Sequence, residues 1–428
     1  MEKYSEYKDS GVKWLGKIPS HWKLLHLRNF LTLFSEKGFP DSPLLSVTRE
    51  KGVILRDKDN KEENHNYVPE DLSGYKHLNV GDFVINKMKS WQGSYGVSDY
   101  EGIVSPAYFT CKVRGVVPSF FSMAIRSVAY IGFFMQYSKG IRVDQWDLDP
   151  NSMKDIPFVL PPTEEQTCIV AYLNEVTKKI DEAIAQQHKM IDLLNERKQI
   201  IINSAVTKGL NPNVAMKDSG VDWLGEIPEN WNLFRLKYLL NERLMYGANE
   251  SAESDDTTFP RYIRITDIDE NGNLRDDTFK SLPFKKAKPY LLKKGDILLA
   301  RSGATAGKSF LFEGNIDACF AGYLIKASFS SKIIPRFFMY YTYSGVYDKW
   351  KKGIFIQATI PNIGADKYAN LTVLLPSINE QNEIIYYLDR ETEKINNAIE
   401  YCRQKIFLLQ ERKQIIINEV VTGKVKVL

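Results

Sequence analysis

The stretch KDSGVKWLGKIPSHW begins at Lys8 and returns as KDSGVDWLGEIPENW at Lys217, 209 residues later. Trp14 and Trp223, Gly16 and Gly225, Pro19 and Pro228, and Trp22 and Trp231 coincide between the copies. A second block, EEQTCIVAYLNEVTKKIDEAI…LLNERKQIIINSAVT from Glu164, reappears from Asn379 as NEQNEIIYYLDRETEKINNAI…LLQERKQIIINEVVT, at an offset of 215. Between the matched blocks, residues 30–158 and 239–373 resemble each other far less. An internal repeat on this scale fixes the architecture before any local motif is considered. A duplicated frame carrying two diverged modules predicts two related tasks performed on different targets.

The repeated blocks read as long helices. Apolar or small residues fall at Ile169, Leu173, Val176, Ile180, Ile184, Ile191, Leu194, Ile201 and Ala205, interrupted by Gln187 and Lys198. The second copy places Ile384, Leu388, Ile395, Ile399, Ile406, Leu409, Ile416 and Val420 along the same seam, with Glu391, Cys402 and Lys413 between them. A seam of period 3.5 is that of a coiled coil, and each helix would run about 40 residues, about 60 Å. Pro161, Pro162 and Pro376 mark the starts, and Thr163 with Gln166, or Ser377 with Glu380, reads as a capping box. An ordinary amphipathic bundle helix carries the same stripe. Two similar seams in one chain favour an intramolecular antiparallel coiled coil. The modules alternate short β-type runs, such as GDFVINKM and GDILLARSG, with turns, and short helices are expected near 118–137 and 335–350. The fold class is therefore α+β: two α/β modules separated by two long helices, with a pseudo-twofold internal repeat. The expected divisions are 1–160, 161–209, 210–375 and 376–428.

Composition excludes several classes. The chain has 428 residues, 43% of them hydrophobic, and 57 Lys+Arg against 53 Asp+Glu leave a net charge of only +4, so any basic surface must be local. Cys111, Cys168, Cys319 and Cys402 form no C-x-x-C pair, and among His21, His26, His65, His77 and His188 only His21 and His26 fall at a ligand-like spacing, with no cysteine pair to complete a site. No metal site is expected. No export signal or uninterrupted apolar span is evident, so a cytoplasmic location without membrane contact is expected. DPNS at 149–152 and NPN at 211–213 lack the second proline and the aromatic of an amino-methyltransferase motif, which argues against autonomous catalysis.

LLARSGATAGKSF, residues 298–310, resembles a phosphate-binding P-loop, but that loop needs four residues between its glycines and Gly303 and Gly307 enclose three. Aligning the modules on Gly-Asp, at an offset of 214, sets GDFVINKMKSWQGSYG (81–96) over GDILLARSGATAGKSF (295–310) without a gap. Gly93 then matches Gly307, Lys87 matches Arg301, and Ser94 stands where Lys308 is. The shared feature is a turn carrying hydrogen-bonding side chains: Lys87, Lys89, Ser90, Trp91, Gln92 and Tyr95 in one copy, Arg301, Ser302, Thr305, Lys308 and Ser309 in the other. Arg and Lys can take guanine O6/N7, Gln can take adenine N6/N7, and hydroxyls and lysines also position phosphates, so these turns are candidate DNA contacts. A solvated β-turn with incidental charges is the alternative. Further candidates are Arg261 and Arg264, Lys285 and Lys286 in FKKAK, Arg142 and Gln145 in GIRVDQWDL, and Gln357 in GIFIQATIPNIG.

The order SGVxWLGxIPxxW, a module with GDFVINKMKSWQG or GDILLARSGATAG, then LPPTEEQ…LLNERKQIIINSAVTKG, all repeated, resembles the specificity subunit of type I restriction-modification enzymes over essentially the whole chain. The resemblance implies two target recognition domains, each reading one half of a bipartite sequence in double-stranded DNA, with the helices as a ruler for the unread spacer. It also implies two methyltransferase subunits packed on the helices, supplying S-adenosylmethionine and methylating adenine, and restriction subunits adding ATP- and Mg-dependent translocation and cleavage. The chain itself would bind no cofactor and catalyse nothing. Because the two turns differ, the target is expected to be asymmetric.

Overall fold

The computed structural model describes residues 2–57, 68–140, 146–269, 272–355 and 361–427. Contacts divide the chain into two units of mixed helix and strand, residues 1–187 with 403–428, and residues 188–402. Each copy of the first repeat folds into the same hairpin: Tyr7–Asp9 pairs with Lys17–Pro19, and Met216–Asp218 with Glu226–Pro228. Asp9 and Asp218 each accept the N–H two residues on, from Gly11 and Gly220, at 2.9 Å. Only the second tryptophan of the motif is a core anchor in both copies. Trp22 and Trp231 are fully buried, whereas Trp14 is 67% exposed.

In the first unit, β1 (Leu31–Phe34), β2 (Phe83–Ile85), β3 (Tyr95–Val97) and β4 (Phe109–Val113) form an antiparallel sheet in the order β1-β4-β2-β3. In the second, β5 (Met245–Tyr246), β6 (Ile297–Ala300), β7 (Ser309–Leu311) and β8 (Leu324–Ala327) take the equivalent order β5-β8-β6-β7. Phe83 faces Val97 and Ile297 faces Leu311, so the two hairpins share one register at the 214-residue offset. Helices α1 (Pro118–Ile125) and α2 (Val128–Tyr137) follow the first sheet. Each module is closed by a strand pair joining its ends, Lys23–His26 with Pro157–Leu160 and Asn232–Arg235 with Thr372–Leu375. Trp22, Phe83, Phe121, Phe134 and Phe158 build one core, and Trp231, Phe337, Phe338, Tyr341 and Tyr347 the other.

The repeated helical blocks form α3 (Thr163–Lys208, 46 residues), which leaves the first module, and, after α4 (Pro335–Thr342) and α5 (Gly345–Phe355) of the second, α6 (Ile378–Val421, 44 residues). Pro118 and Pro335 open α1 and α4 where no intrahelical donor is needed. The capping box is only half formed. Ser377 Oγ accepts the Glu380 N–H at 3.3 Å, but Glu380 accepts the indole N–H of Trp231, and Gln166 accepts the N–H of Val117. These side chains clamp helix to module instead of closing the helix on itself.

In the first unit Ile169, Leu173, Ile180, Ile406, Ile416 and Val420 are buried, with Val176, Ile184 and Leu409 half-buried beside them. In the second, Ile384, Leu388, Ile395, Ile399 and Cys402 are buried on α6, while Ile191 and Leu194 of α3 are half-buried. Near the end of α3 the seam moves by one residue: Ile202, not Ile201, is enclosed. A straight helix drifts from a strict 3.5 repeat in this way. The two lysines that interrupt the seam are each answered. Lys198 donates to Asn396 Oδ1 at 2.8 Å, and Lys413 to both carboxylate oxygens of Asp181 at 2.7 Å. From Asp181 to Lys198 on α3 the partners on α6 run backwards, from Lys413 to Asn396, so the helices are antiparallel. Gly209 and Gly423, both with φ of 74°, end the two helices in the left-handed conformation that glycine favours. No single helix among the described residues is long and apolar enough to cross a membrane.

Candidate nucleic-acid interface

In both modules the second strand of the central hairpin pair is reached through a turn that starts on a cation. The chain leaves β2 at Ile85 and β6 at Ala300, passes Lys87 or Arg301, and re-enters the sheet after a glycine at φ of 91° (Gly93) or 86° (Gly307). A side chain at that φ is strained, so the turn requires glycine. The carbonyl of Lys87 accepts the N–H of Leu148 at 3.1 Å, and the carbonyl of Arg301 accepts that of Ile363 at 2.8 Å. Each turn is thereby stitched to the chain that follows the stretches 141–145 and 356–360.

The backbone settles the P-loop likeness. The N–H groups of Ala300, Gly307 and Lys308 donate to Lys308, Ala300 and Thr305 carbonyls of the same turn. Amides consumed in this way cannot converge on a phosphate as a nest does. Among the described residues no group of three or more His, Cys, Asp or Glu could hold a metal ion.

The candidate side chains separate into three groups. At the surface, Lys87 donates to Asp147 Oδ2 at 2.9 Å, Lys89 is exposed, Gln92 is half-buried, and the Trp91 ring lies 5.4 Å from that of Trp146. In the second module the Arg301 guanidinium lies 5.1 Å from the centroid of the Tyr246 ring. Ser302 and Thr305 are half-buried, and Lys285 and Lys308 are exposed. Lys308 stands at a cleft of about 840 Å³ lined also by Asn203, Lys208, Thr342 and Lys351, which Arg301 does not line.

A second group is spent on structure, against expectation. Ser90 is fully buried, its hydroxyl donating to the Lys87 carbonyl and lying 3.2 Å from Ser138 Oγ. Tyr95 is a core residue, its ring 4.1 Å from Phe134 and its phenol pKa driven far upward by burial. Arg261 is 6% exposed, bonded to the Arg275 carbonyl and stacked over Phe279. Arg264 grips Asp267 through two nitrogens, at 3.1 and 2.7 Å; Lys286, by contrast, stays at the surface, where it pairs with Glu250 at 2.7 Å. The third group, Arg142, Gln145 and Gln357, lies outside the described residues.

Sequence reasoning overlooked Asp147, Trp146, Tyr246 and Arg126. Arg126 donates to the carbonyls of Gly93, Tyr95, Arg49 and Glu50, and burial lowers its pKa, so it staples the first turn from behind. Nothing in its neighbours marks it. Asp147 and Trp146 carried a signal, since they lie within the GIRVDQWDL stretch already singled out for Arg142 and Gln145.

The model of the type I restriction modification DNA specificity domain matches residues 228–401. The MjaVIII specificity subunit of a type I restriction enzyme from Methanocaldococcus jannaschii is 23% identical over 98% of this chain and 97% of its own length. A putative MjaX specificity subunit from the same organism is 22% identical over 98% of each. Among solved structures, one concerned with complex assembly and conformational transition of the type I R-M system shares the fold with a TM-score of 0.69 at 16% identity, covering 95% of this chain and 99% of that one. A domain model on the second module, relatives aligned from end to end and a common fold converge on one likeness: the chain is similar to the specificity subunits of type I restriction-modification enzymes.

Proposed function

We propose that this chain reads a bipartite, asymmetric sequence in double-stranded DNA, one half with each module, on behalf of a type I restriction-modification complex. It is a non-catalytic specificity subunit. The observation that carries this is the repeated turn: one sheet order and one register present Lys87 with Asp147 in one module and Arg301 with Tyr246 in the other. Equivalent scaffolds with different hydrogen-bonding edges suit two related targets of different sequence. In this reading Lys89, Trp91, Gln92, Ser302, Thr305, Lys308 and Lys285 supply further base or phosphate contacts.

The paired helices set the unread spacer and dock two methyltransferase subunits. That role draws support from apolar side chains left outside the seam: Met190, Leu193 and Ile200 on α3, and Tyr401, Phe407, Leu408 and Ile415 on α6. S-adenosylmethionine binding and adenine methylation belong to those subunits, and ATP- and Mg-dependent cleavage to restriction subunits. The test is methylation sequencing of cells carrying the methyltransferase genes with and without this chain. A two-part adenine motif that requires the chain is expected; an unchanged methylome sinks the reading. Tight binding of ATP or S-adenosylmethionine by the isolated chain would favour an enzyme instead.

A further inference from the structure

The two cations that head the turns are equivalent in backbone but not in company. Lys87 and Arg301 each accept, through their carbonyls, the N–H of Leu148 and Ile363. The residues just before these donors are therefore equivalent too, and they are Asp147 and Asn362. In the second module no carboxylate is bonded to Arg301 among the described contacts, and its guanidinium rests on Tyr246. In the first module Asp147 is half-exposed, is bonded to the one-third-exposed Lys87, and has Lys139 as its strand partner. Its position is fixed on both sides, by the Trp146 ring against Trp91 and by the Leu148 N–H bond.

A carboxylate on a DNA-facing edge is repelled by every phosphate it approaches, so the DNA group it favours is a base edge that offers it a proton. The major groove offers such protons on the amino groups of cytosine and adenine. The distance also fits. Lys87 Nζ and Asp147 Oδ2 are 2.9 Å apart, which is the separation of donor and acceptor in an ordinary N–H···O bond. An amino group and the carbonyl it pairs with across a base pair stand at that same separation. The ion pair can therefore meet them in complementary order, carboxylate to amino and ammonium to carbonyl. A C·G pair suits this better than A·T, because beyond guanine O6 lies the N7 acceptor, whereas beyond thymine O4 lies a methyl group.

Resting on the function proposed above, we infer that Asp147 determines specificity in the first module: together with Lys87 it reads one C·G base pair, taking cytosine N4–H with its carboxylate while Lys87 donates to guanine O6. The pair is exposed enough that neither partner is needed for the core. Exposed ion pairs contribute little to stability, so the neutral variant should fold.

The experiment reconstitutes the chain with its methyltransferase subunits on a plasmid library randomised across the target, and compares wild type with Asp147→Asn. The first half-site is expected to contain a C·G position whose preference falls tenfold or more in the variant, with every other position and the second half-site unchanged. An active variant with an unaltered motif overturns the inference, as does a change confined to a position that is not C·G. A measurement on the unaltered protein guards against misfolding: N4-methylcytosine at that position should weaken binding about tenfold, and full binding there overturns the inference equally. If wild type shows no two-part motif at all, it is the function proposed above that fails. If the motif is present and only these substitutions are silent, the function stands without this contact.

Discussion

A cation locked against a buried carboxylate or packed into the core is not free to turn toward DNA, and this sorts the arginines of the second module. Arg264 is held by a carboxylate three residues away, Asp267, which is 1% exposed. Replacing Arg264 with Ala leaves that buried carboxylate the backbone N–H of residue 264 but no counter-charge, and should cost about 3 kcal/mol of stability, read by denaturant unfolding, with the methylated motif unchanged. Arg301, by contrast, rests on an aromatic face, with no carboxylate bonded to it among the described residues. Arg301→Ala should cost about 1–3 kcal/mol of discrimination at one half-site and leave the other intact; a uniform loss across all sequences, seen in competition binding, would mark a phosphate contact instead. The sequence displayed Arg261, Arg264 and Lys286 as clusters of charge because charge is visible in a string and its partner is not. Ser90 and Tyr95 misled for a different reason. The side of the sheet a residue faces depends on register, and the pairing of Tyr95 with Ile85 turns its ring into the core.

Among the elements, the long helices were the most legible, because a seam sustained over many turns has few structural meanings. What the pattern did not reveal was how its interruptions are resolved. Lys198 is pushed below its ordinary pKa by burial while donating to a neutral amide. A lysine whose folded pKa is lowered costs stability at all pH values below that pKa, and the cost is relieved as pH rises from it toward the unfolded value. Lys198→Leu should therefore raise Tm by a few degrees at neutral pH, and calorimetry should find the gain shrinking in alkaline buffer. Lys413→Leu, which discards the contact with Asp181, should gain less. Helix length carries its own prediction. Seven residues added to each of α3 and α6 extend both by about 10 Å, which should lengthen the methylated motif's spacer by about two or three base pairs; an unchanged spacer would refute the ruler.

On the scale of the whole molecule, the repeat made the plan of two modules and two helices readable, but not the way the second repeat serves the first unit. Asn203, near the end of α3, accepts the N–H of Gly345 in the second module, while its counterpart Asn418, near the end of α6, accepts that of Ala129 in the first. Ile416, Val420 and Val421 enter the core around Trp22, and Lys424 donates to the carbonyls of Leu15 and Lys17. Deleting the residues after Asn418 should cost the first unit several kcal/mol; hydrogen exchange should show amides near Trp22 losing protection while those near Trp231 keep it. The Asp181–Lys413 and Lys198–Asn396 contacts lie 17 residues apart on both helices. A codon gained or lost between them in one helix leaves the other helix's spacing behind, and one of the two contacts cannot form. In the ruler role proposed above, only equal changes in both blocks of the gene restore the match, which makes the distance between half-sites a heritable trait that single mutational steps cannot gradually erode.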